Sequence, residues 1–421
     1  AMQGGMPMNR VGRNFLLDNM YSQAAYWAAS GTVIASLTSY YALSLPLSNL
    51  LTGFTSTLLI IQLFGGAAYT GTKNRPAFVR GFNILWRCCL PLTFLSVLLP
   101  REIGGWAMAV CYFIAVASSQ FVSPAQTEWT VTSTTGHTKN NYFSMREMTF
   151  MLGYSAIFCG FNLALNIAQK TDAMRAAFCV IGVLLAVILG VSVVTLFRLP
   201  PPEQRPPERS GSRMIWRNIW KNKPFLHVTS TYSMWFFACM FIGTFGNLYQ
   251  IRILHLSFAQ IMLWATVGNL ARAALTPVMG RLAARVGWKN TILVSMVLML
   301  AAALCWFFVR PSNALWMFPL VSILAALPYA GMNVGILQLQ VDTTPAETRS
   351  VYFSANAVGN GVAAFLGTTL CSAFIGGVEA AAGAASGDYL RYAFLIGAAG
   401  VGVTMVLSRF IPEKRREDGN G

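Results

Sequence analysis

Two arginines, Arg87 and Arg272, fall inside apolar runs where a charge is costly. An arginine in a bilayer span costs about 2.5–3.5 kcal/mol on insertion scales, so each is expected to hold a partner or a ligand. The carboxylates fall near the ends of the apolar runs: Asp18, Glu128, Glu147 and Asp342 on one side, Asp172, Glu379 and Asp388 on the other. Two guanidinium groups without an acid at their own depth would hold positive potential and attract an anion. The competing expectation is a structural arginine paired with a helix C-terminus or with Glu147. A buried Asp or Glu at mid-depth, the usual means of proton coupling, is not evident.

Uncharged polar and aromatic groups join them. They are Asn19, Gln23, Tyr26, Trp27, Gln62, Asn83, Gln120, Asn162 and Asn166 in the first half of the chain. In the second half they are Tyr232, Trp235, Asn247, Asn269, Tyr329, Asn333, Gln338, Asn356 and Asn360. Any one of these can serve as packing glue between helices, worth about 0.6–2 kcal/mol. Several are three or four apart, as in Asn19/Gln23, Asn269/Arg272, Tyr329/Asn333 and Asn356/Asn360, and so share one helix face. Aligned polar faces suit a cavity better than scattered glue, and Trp27 and Trp235 could stack on a planar or cationic group. The candidate binding set is therefore Gln23, Tyr26, Trp27, Arg87, Gln120, Tyr232, Trp235, Asn269, Arg272, Tyr329, Asn333, Asn356 and Asn360. Catalytic chemistry finds no support: His137 sits alone in a polar loop. Gly359-Asn360-Gly361 and Gly367 lack the preceding strand and the Lys-Ser/Thr of a nucleotide loop. Neither an enzyme, a cofactor nor a metal site is expected.

Composition says what must position these groups. The chain of 421 residues is 55% hydrophobic and only 10% charged, far below the quarter typical of soluble domains. It is a membrane protein. A net charge of +16 would suggest nucleic acid in a soluble chain. Here the basic residues read as markers of cytosolic loops, and no nucleic-acid partner is expected. The eight cysteines lie in apolar runs and read as small buried hydrophobes without disulfide or metal spacing. The start, Met6 to Arg13, lacks the build of a cleavable signal, so the first apolar run is expected to be retained.

Twelve spans of about 20 residues follow, at 15–42, 46–70, 77–99, 103–124, 143–168, 172–198, 224–250, 256–280, 288–309, 313–340, 350–375 and 388–411. Gln120, Gln126 and Glu128 accumulate at the inner end of span four. Most of the 30 Lys and Arg residues fall on the side that includes both termini, which places both in the cytoplasm. Pro200 to Ser212 is a Pro-rich linker. Arg213 to Lys223, with Trp216 and Trp220 among basic residues, suits an amphipathic helix on the inner membrane face. The expected organisation is a first bundle over 1–199, a linker over 200–223 and a second bundle over 224–421. Short repeats support a duplication: Phe15-Leu16 with Phe225-Leu226, Tyr142-Phe143-Ser144 with Tyr352-Phe353-Ser354, and Gly71-Thr72-Lys73-Asn74 with Gly287-Trp288-Lys289-Asn290.

The turn Gly280-Arg-Leu-Ala-Ala-Arg-Val-Gly-Trp-Lys-Asn290 resembles the loop signature of the major facilitator superfamily, Gly-x-x-x-Asp-Arg-x-Gly-Arg-Arg/Lys. Gly280, Arg285, Gly287 and Lys289 match, while Ala284 and Trp288 depart from it, and Ala68 stands where the first-half copy expects Asp. The stretch Asp342-Thr-Thr-Pro-Ala-Glu-Thr-Arg349 looks like that family's loop before span eleven. An ordinary capped turn, with Pro345 and Glu347 at a helix entry, explains it equally. The resemblance implies an all-α polytopic membrane protein, with twelve transmembrane helices in two pseudo-symmetric six-helix bundles. It further implies a central site among spans one, four, seven and ten, and a cytoplasmic gate. The gate would draw on Lys73, Gly280, Arg285, Gly287, Lys289 and Arg349, with Glu128, Arg146, Glu147 and Asp342 replacing the missing charged latch. The expected function is secondary transport of a small polar or anionic organic solute across the cytoplasmic membrane by alternating access. The protein would be a monomer whose partners are the solute and the lipid bilayer. One alternative is a proton-coupled exporter of amphipathic drugs, with an apolar aromatic cavity and Arg272 paired away from it. Another is a receptor or scaffold that kept the fold and lost transport.

Overall fold

A computed structural model describes residues 10–134, 139–203, 212–382, 389 and 391–412, and every regular element among them is a helix. His137, Asp388, linker residues 204–211 and the side chain of Asn247 lie outside the described residues. The expected spans all have helical counterparts. Span one is α1 (Arg10–Ala28) and α2 (Thr32–Tyr40); span two is α3 (Leu45–Thr57), a 3-10 turn (Leu58–Ile60) and α4 (Ile61–Gly71). Spans three to six are α5 (Arg75–Leu95), α6 (Arg101–Thr134), α7 (Lys139–Thr171) and α8 (Met174–Phe197). After the short α9 (Ser212–Lys221) come α10 (Lys223–Arg252), α11 (Phe258–Val286) and α12 (Trp288–Phe308). Span ten is split into α13 (Ala314–Ala326) and α14 (Pro328–Thr343), followed by α15 (Arg349–Ala382) and α16 (Tyr392–Ser408).

Among the described residues nine of these spans are long and apolar enough to cross a bilayer. The other three are the first, diluted by Asp18, Asn19 and Gln23; the eighth, α11, which carries Asn269 and Arg272; and the 17-residue α16. Large apolar side chains cover the outside. On α8 alone Val180, Val183, Leu184, Val187, Val191 and Val194 are exposed, a stripe that water would not tolerate and acyl chains would.

Local sequence explains the helix ends and breaks. Asn74 caps α5 by accepting from Ala77 N at 3.1 Å, and Asn222 caps α10 by accepting from Phe225 N at 3.2 Å. Each is followed by a basic residue and a proline suited to the first turn. Ser257 and Gln260 form a capping box on α11. Gly287 joins α11 to α12 at φ 84°, which strongly favours glycine. The break in span one falls at Gly31, φ 59°, and the break in span ten at Leu327-Pro328.

Several boundaries differ from expectation. Span one is broken rather than continuous, and span eleven continues to Ala382. Span four runs on to Thr134 because its polar residues are satisfied inside the protein, as detailed below. The cysteines are less uniform than expected: Cys239 and Cys371 are buried, but Cys88 and Cys159 are exposed, on surfaces where a small apolar thiol meets lipid without cost.

The chain divides into two compact units. The first comprises Ala1–Ser210 with Asn269–Pro277 and Thr348–Val358; the second comprises Gly211–Gly268, Val278–Glu347 and Gly359–Gly421. In the first unit α5 packs on α6 and α8, and α1 on α7 and α8, around buried Trp86, Phe94, Tyr112 and Phe178. In the second, α10 and α12 pack on α14 and α16. Its centre is Phe394, stacked on Trp306 at 5.2 Å and edge-on to Phe245 at 4.7 Å.

Candidate functional site

Arg87 lies about 18 Å along α5 from Arg75, at 1.5 Å per residue, and is fully enclosed by the first unit. Its Nη1 and Nη2 donate to Asp18 Oδ1 and Oδ2 at 2.9 and 3.0 Å, a two-pronged pairing. Nη1 also donates to the Ser192 carbonyl at 2.9 Å, and Nη2 reaches Asn83 Oδ1 at 3.4 Å. Ser192 Oγ and Thr195 Oγ1 donate to Asp18 Oδ1 at 3.1 and 3.3 Å. Trp86 Nε1 donates to Asn83 Oδ1 at 3.1 Å. The expectation of an arginine without an acidic partner fails here: Asp18 projects from α1 into the bundle and reaches the depth of Arg87. Arg272, on the segment of α11 that belongs to the same unit, is also paired, with Glu147 of α7.

A second polar group gathers where spans one and two lose their regular helix. Gln120 of α6 accepts from Gln62 Nε2 at 2.7 Å and donates from its own Nε2 to the Thr55 carbonyl at 3.1 Å. Tyr26 lies beside Ser119 and Gln120, edge-on to Trp86 and to Trp27, with centroids 5.7 Å from each. Trp27 is 46% exposed. Ser30 Oγ donates to the Tyr26 carbonyl at 2.7 Å, satisfying a group that the break at Gly31 would leave open. Tyr26, Gln120 and Gln62 are thus brought together, with Trp27 beside Tyr26 on α1, and their surroundings are discontinuous helices, the build on which membrane transporters place binding groups. Gln23 is half-buried one turn earlier on α1, Asn269 is half-buried and Asn356 buried.

The second unit holds a comparable group. Trp235 of α10 is buried edge-on to Tyr329, 5.9 Å away, one residue past the break at Leu327-Pro328. Tyr232 meets Phe236 at 4.9 Å. Ser233 Oγ donates to Asn360 Oδ1 at 3.1 Å. Asn333 is half-buried one turn beyond Tyr329.

The residues expected at a gate differ in burial and in the contacts they make. Glu128 of α6 is buried 3.9 Å from Arg75 and accepts from Ser350 N at 3.0 Å. A carboxylate thereby sits at the N-terminus of α15, where the helix dipole favours it. Arg75 stacks 4.8 Å from the Tyr69 ring. Arg146 Nε donates to Asn19 Oδ1 at 3.1 Å. Lys289 Nζ donates to the Arg409 carbonyl at 3.0 Å. Gly280 is buried; Lys73, Arg285, Gly287 and Asp342 are exposed and Arg349 half-buried.

Sequence reasoning overlooked Arg75 and misjudged Asp18. A signal existed for both. Arg75 opens α5 against the helix dipole, an arrangement that calls for a nearby acid. Asp18 is the sole acid of α1 and sits among buried Phe15, Leu16, Asn19 and Ser22.

The comparisons with known proteins agree with this architecture. The pattern of the Major Facilitator Superfamily matches residues 15–368 and, in a second match, 248–421. The chain belongs to the Major Facilitator Superfamily. No curated protein matches its sequence. In fold it is similar to a bacterial homologue of the iron transporter ferroportin, solved in an outward-facing state with soaked iron. The TM-score is 0.69 at 13% identity, covering 96% of this chain and 100% of that one. It is likewise similar to the E. coli fucose:proton symporter FucP, with a TM-score of 0.68 at 14% identity, covering 96% of this chain. Likeness at that identity speaks to fold. Superfamily membership makes this a multi-pass membrane protein of the secondary-transport class.

Proposed function

We propose that this superfamily member moves a small polar organic solute across the cytoplasmic membrane by alternating access, with both termini in the cytoplasm. The observation that carries the substrate class is the uncharged group at the breaks of spans one and two: Tyr26, half-exposed Trp27, Gln120 and Gln62. Such a set offers hydrogen bonds and a stacking face rather than net charge. Both arginines are neutralised by acids, Arg87 by Asp18 and Arg272 by Glu147. An anionic solute that uses Arg272 must therefore displace Glu147. Arg75, Glu128, the Ser350 amide and the Glu147–Arg272 pair act as the gate, in place of the latch that Ala68 and Ala284 lack.

Counterflow of labelled solute in proteoliposomes tests this, with a panel of sugars, polyols, amino acids and organic acids. Gln120→Leu, which orphans a polar partner at about 1–3 kcal/mol, and Trp27→Ala, which removes a stacking face worth about 1 kcal/mol, should each lower uptake of the accepted solute by roughly fivefold or more. Unchanged uptake in both variants would remove the polar-solute assignment. If an organic acid is accepted, Arg272→Ala should abolish its uptake.

A second reading has one observation in its favour, the pairing of Arg272 with an acid. It is proton-coupled export of amphipathic compounds past the aromatic groups Trp235, Tyr329, Tyr232 and Phe236. Its mark would be lipophilic-cation transport driven by an imposed pH gradient and lost in Glu147→Gln.

A further inference from the structure

In the second unit, α12 and α16 leave a groove of about 350 Å³ beside the α11–α12 turn. Its walls are largely apolar: Leu293, Gly402, Met405 and Val406 line it, joined by the uncharged polar Asn290 and Ser408. A Cβ at Gly402 would meet nothing within 4 Å, so the groove reaches the backbone of α16. Val406 is 54% exposed beside it. At one end stand two cations, Lys289 in the first turn of α12 and Arg409 just past the end of α16. Among the described residues Lys289 donates once, to the Arg409 carbonyl at 3.0 Å, and an ammonium has three donors. Arg409 is exposed, and among the described residues those lining the groove include no carboxylate.

Seven residues separate Gly402 from Arg409, about 10 Å along the helix. An apolar slot of that length with a cationic head suits the phosphate and the upper part of one acyl chain of a bilayer lipid. We infer that this groove holds an anionic diacyl phospholipid, its phosphate on Lys289 and Arg409 and one acyl chain lying over Gly402. A free phosphate uses only the head of the site. A zwitterionic lipid fills the slot but brings a positive charge of its own against the two cations. Basic pockets between transmembrane helices commonly serve anionic headgroups in this way.

The experiment titrates the purified full chain in detergent with phosphatidylglycerol, phosphatidylcholine or inorganic phosphate, and follows thermal unfolding. A specific ligand raises the apparent midpoint by mass action. Phosphatidylglycerol should raise it in a saturable way, and the other two should not. Gly402→Phe fills the slot without changing charge and should remove the response. Arg409→Gln leaves the slot open and should weaken apparent affinity about fivefold, the worth of one basic residue near an anionic headgroup. Equal responses to the two lipids, a response to phosphate alone, or a phosphatidylglycerol response unchanged in Arg409→Gln would each overturn the assignment. If Gly402→Phe does not fold, Gly402→Leu obstructs the same slot with less bulk.

Discussion

Arg87 illustrates how a low-dielectric interior treats a charge. The side chain is worth little to the fold by itself, but its removal or that of its partner strands the other. Asp18→Asn is therefore expected to destabilise the protein by about 3–5 kcal/mol, visible as a lowered midpoint of thermal unfolding in detergent. The double variant Asp18→Asn with Arg87→Met should recover most of that loss. A single variant as stable as the parent would mean that the pair is not structural. Glu147 tests the gate in the same way. Glu147→Arg places like charges together and is expected to reduce counterflow by an order of magnitude, whereas the swapped pair Glu147→Arg with Arg272→Glu should restore part of it. Equal counterflow in parent and Glu147→Arg would remove the pair from the gate. The sequence made both arginines conspicuous, because each interrupts an apolar run. It did not disclose their partners, since Asp18 reaches Arg87 only once α1, α5 and α8 are packed together.

Helices in this protein approach closely where glycine allows it. A Cβ on Gly66 of α4 would come within 2.8 Å of the Ser350 carbonyl and collide with Ser354 Oγ at the start of α15. Gly71, five residues on, has nothing within 4 Å. Gly66→Val is expected to cost about 1–3 kcal/mol as overpacking, while Gly71→Ala should change stability by less than about 0.5 kcal/mol. Thermal unfolding of the two variants side by side checks this, and equal effects would contradict the close approach. The contrast was not legible beforehand, because two glycines in one helix look alike until the neighbour is known. Helix existence was legible, since apolar length alone demands it. The breaks at Gly31 and Leu327-Pro328 were not. Both lie in stretches apolar enough to be taken for continuous helix, and what stabilises them is local, such as Ser30 Oγ on the Tyr26 carbonyl.

For the whole molecule the test is orientation. In a cysteine-free background, a cysteine replacing exposed Arg285 should react with a membrane-impermeant maleimide only from the cytoplasmic side. Labelling from outside would reverse the topology and with it the placing of the gate. Absence of counterflow for every solute in the panel, from folded and correctly oriented protein, would favour the receptor or scaffold alternative.

The sequence by itself determined that this chain lives in a bilayer and is built of helices: 55% hydrophobic and 10% charged residues leave helices or a closed barrel to satisfy the backbone, and continuous apolar runs of about 20 residues fit the helix. Its loop residues were enough to suggest the superfamily. Only the tertiary structure decided which acid meets which arginine, and that Tyr26, Gln62 and Gln120 share one place. Partners in a helical bundle are chosen by how helices rotate and slide against one another, and residues far apart in the chain carry no mark of that choice.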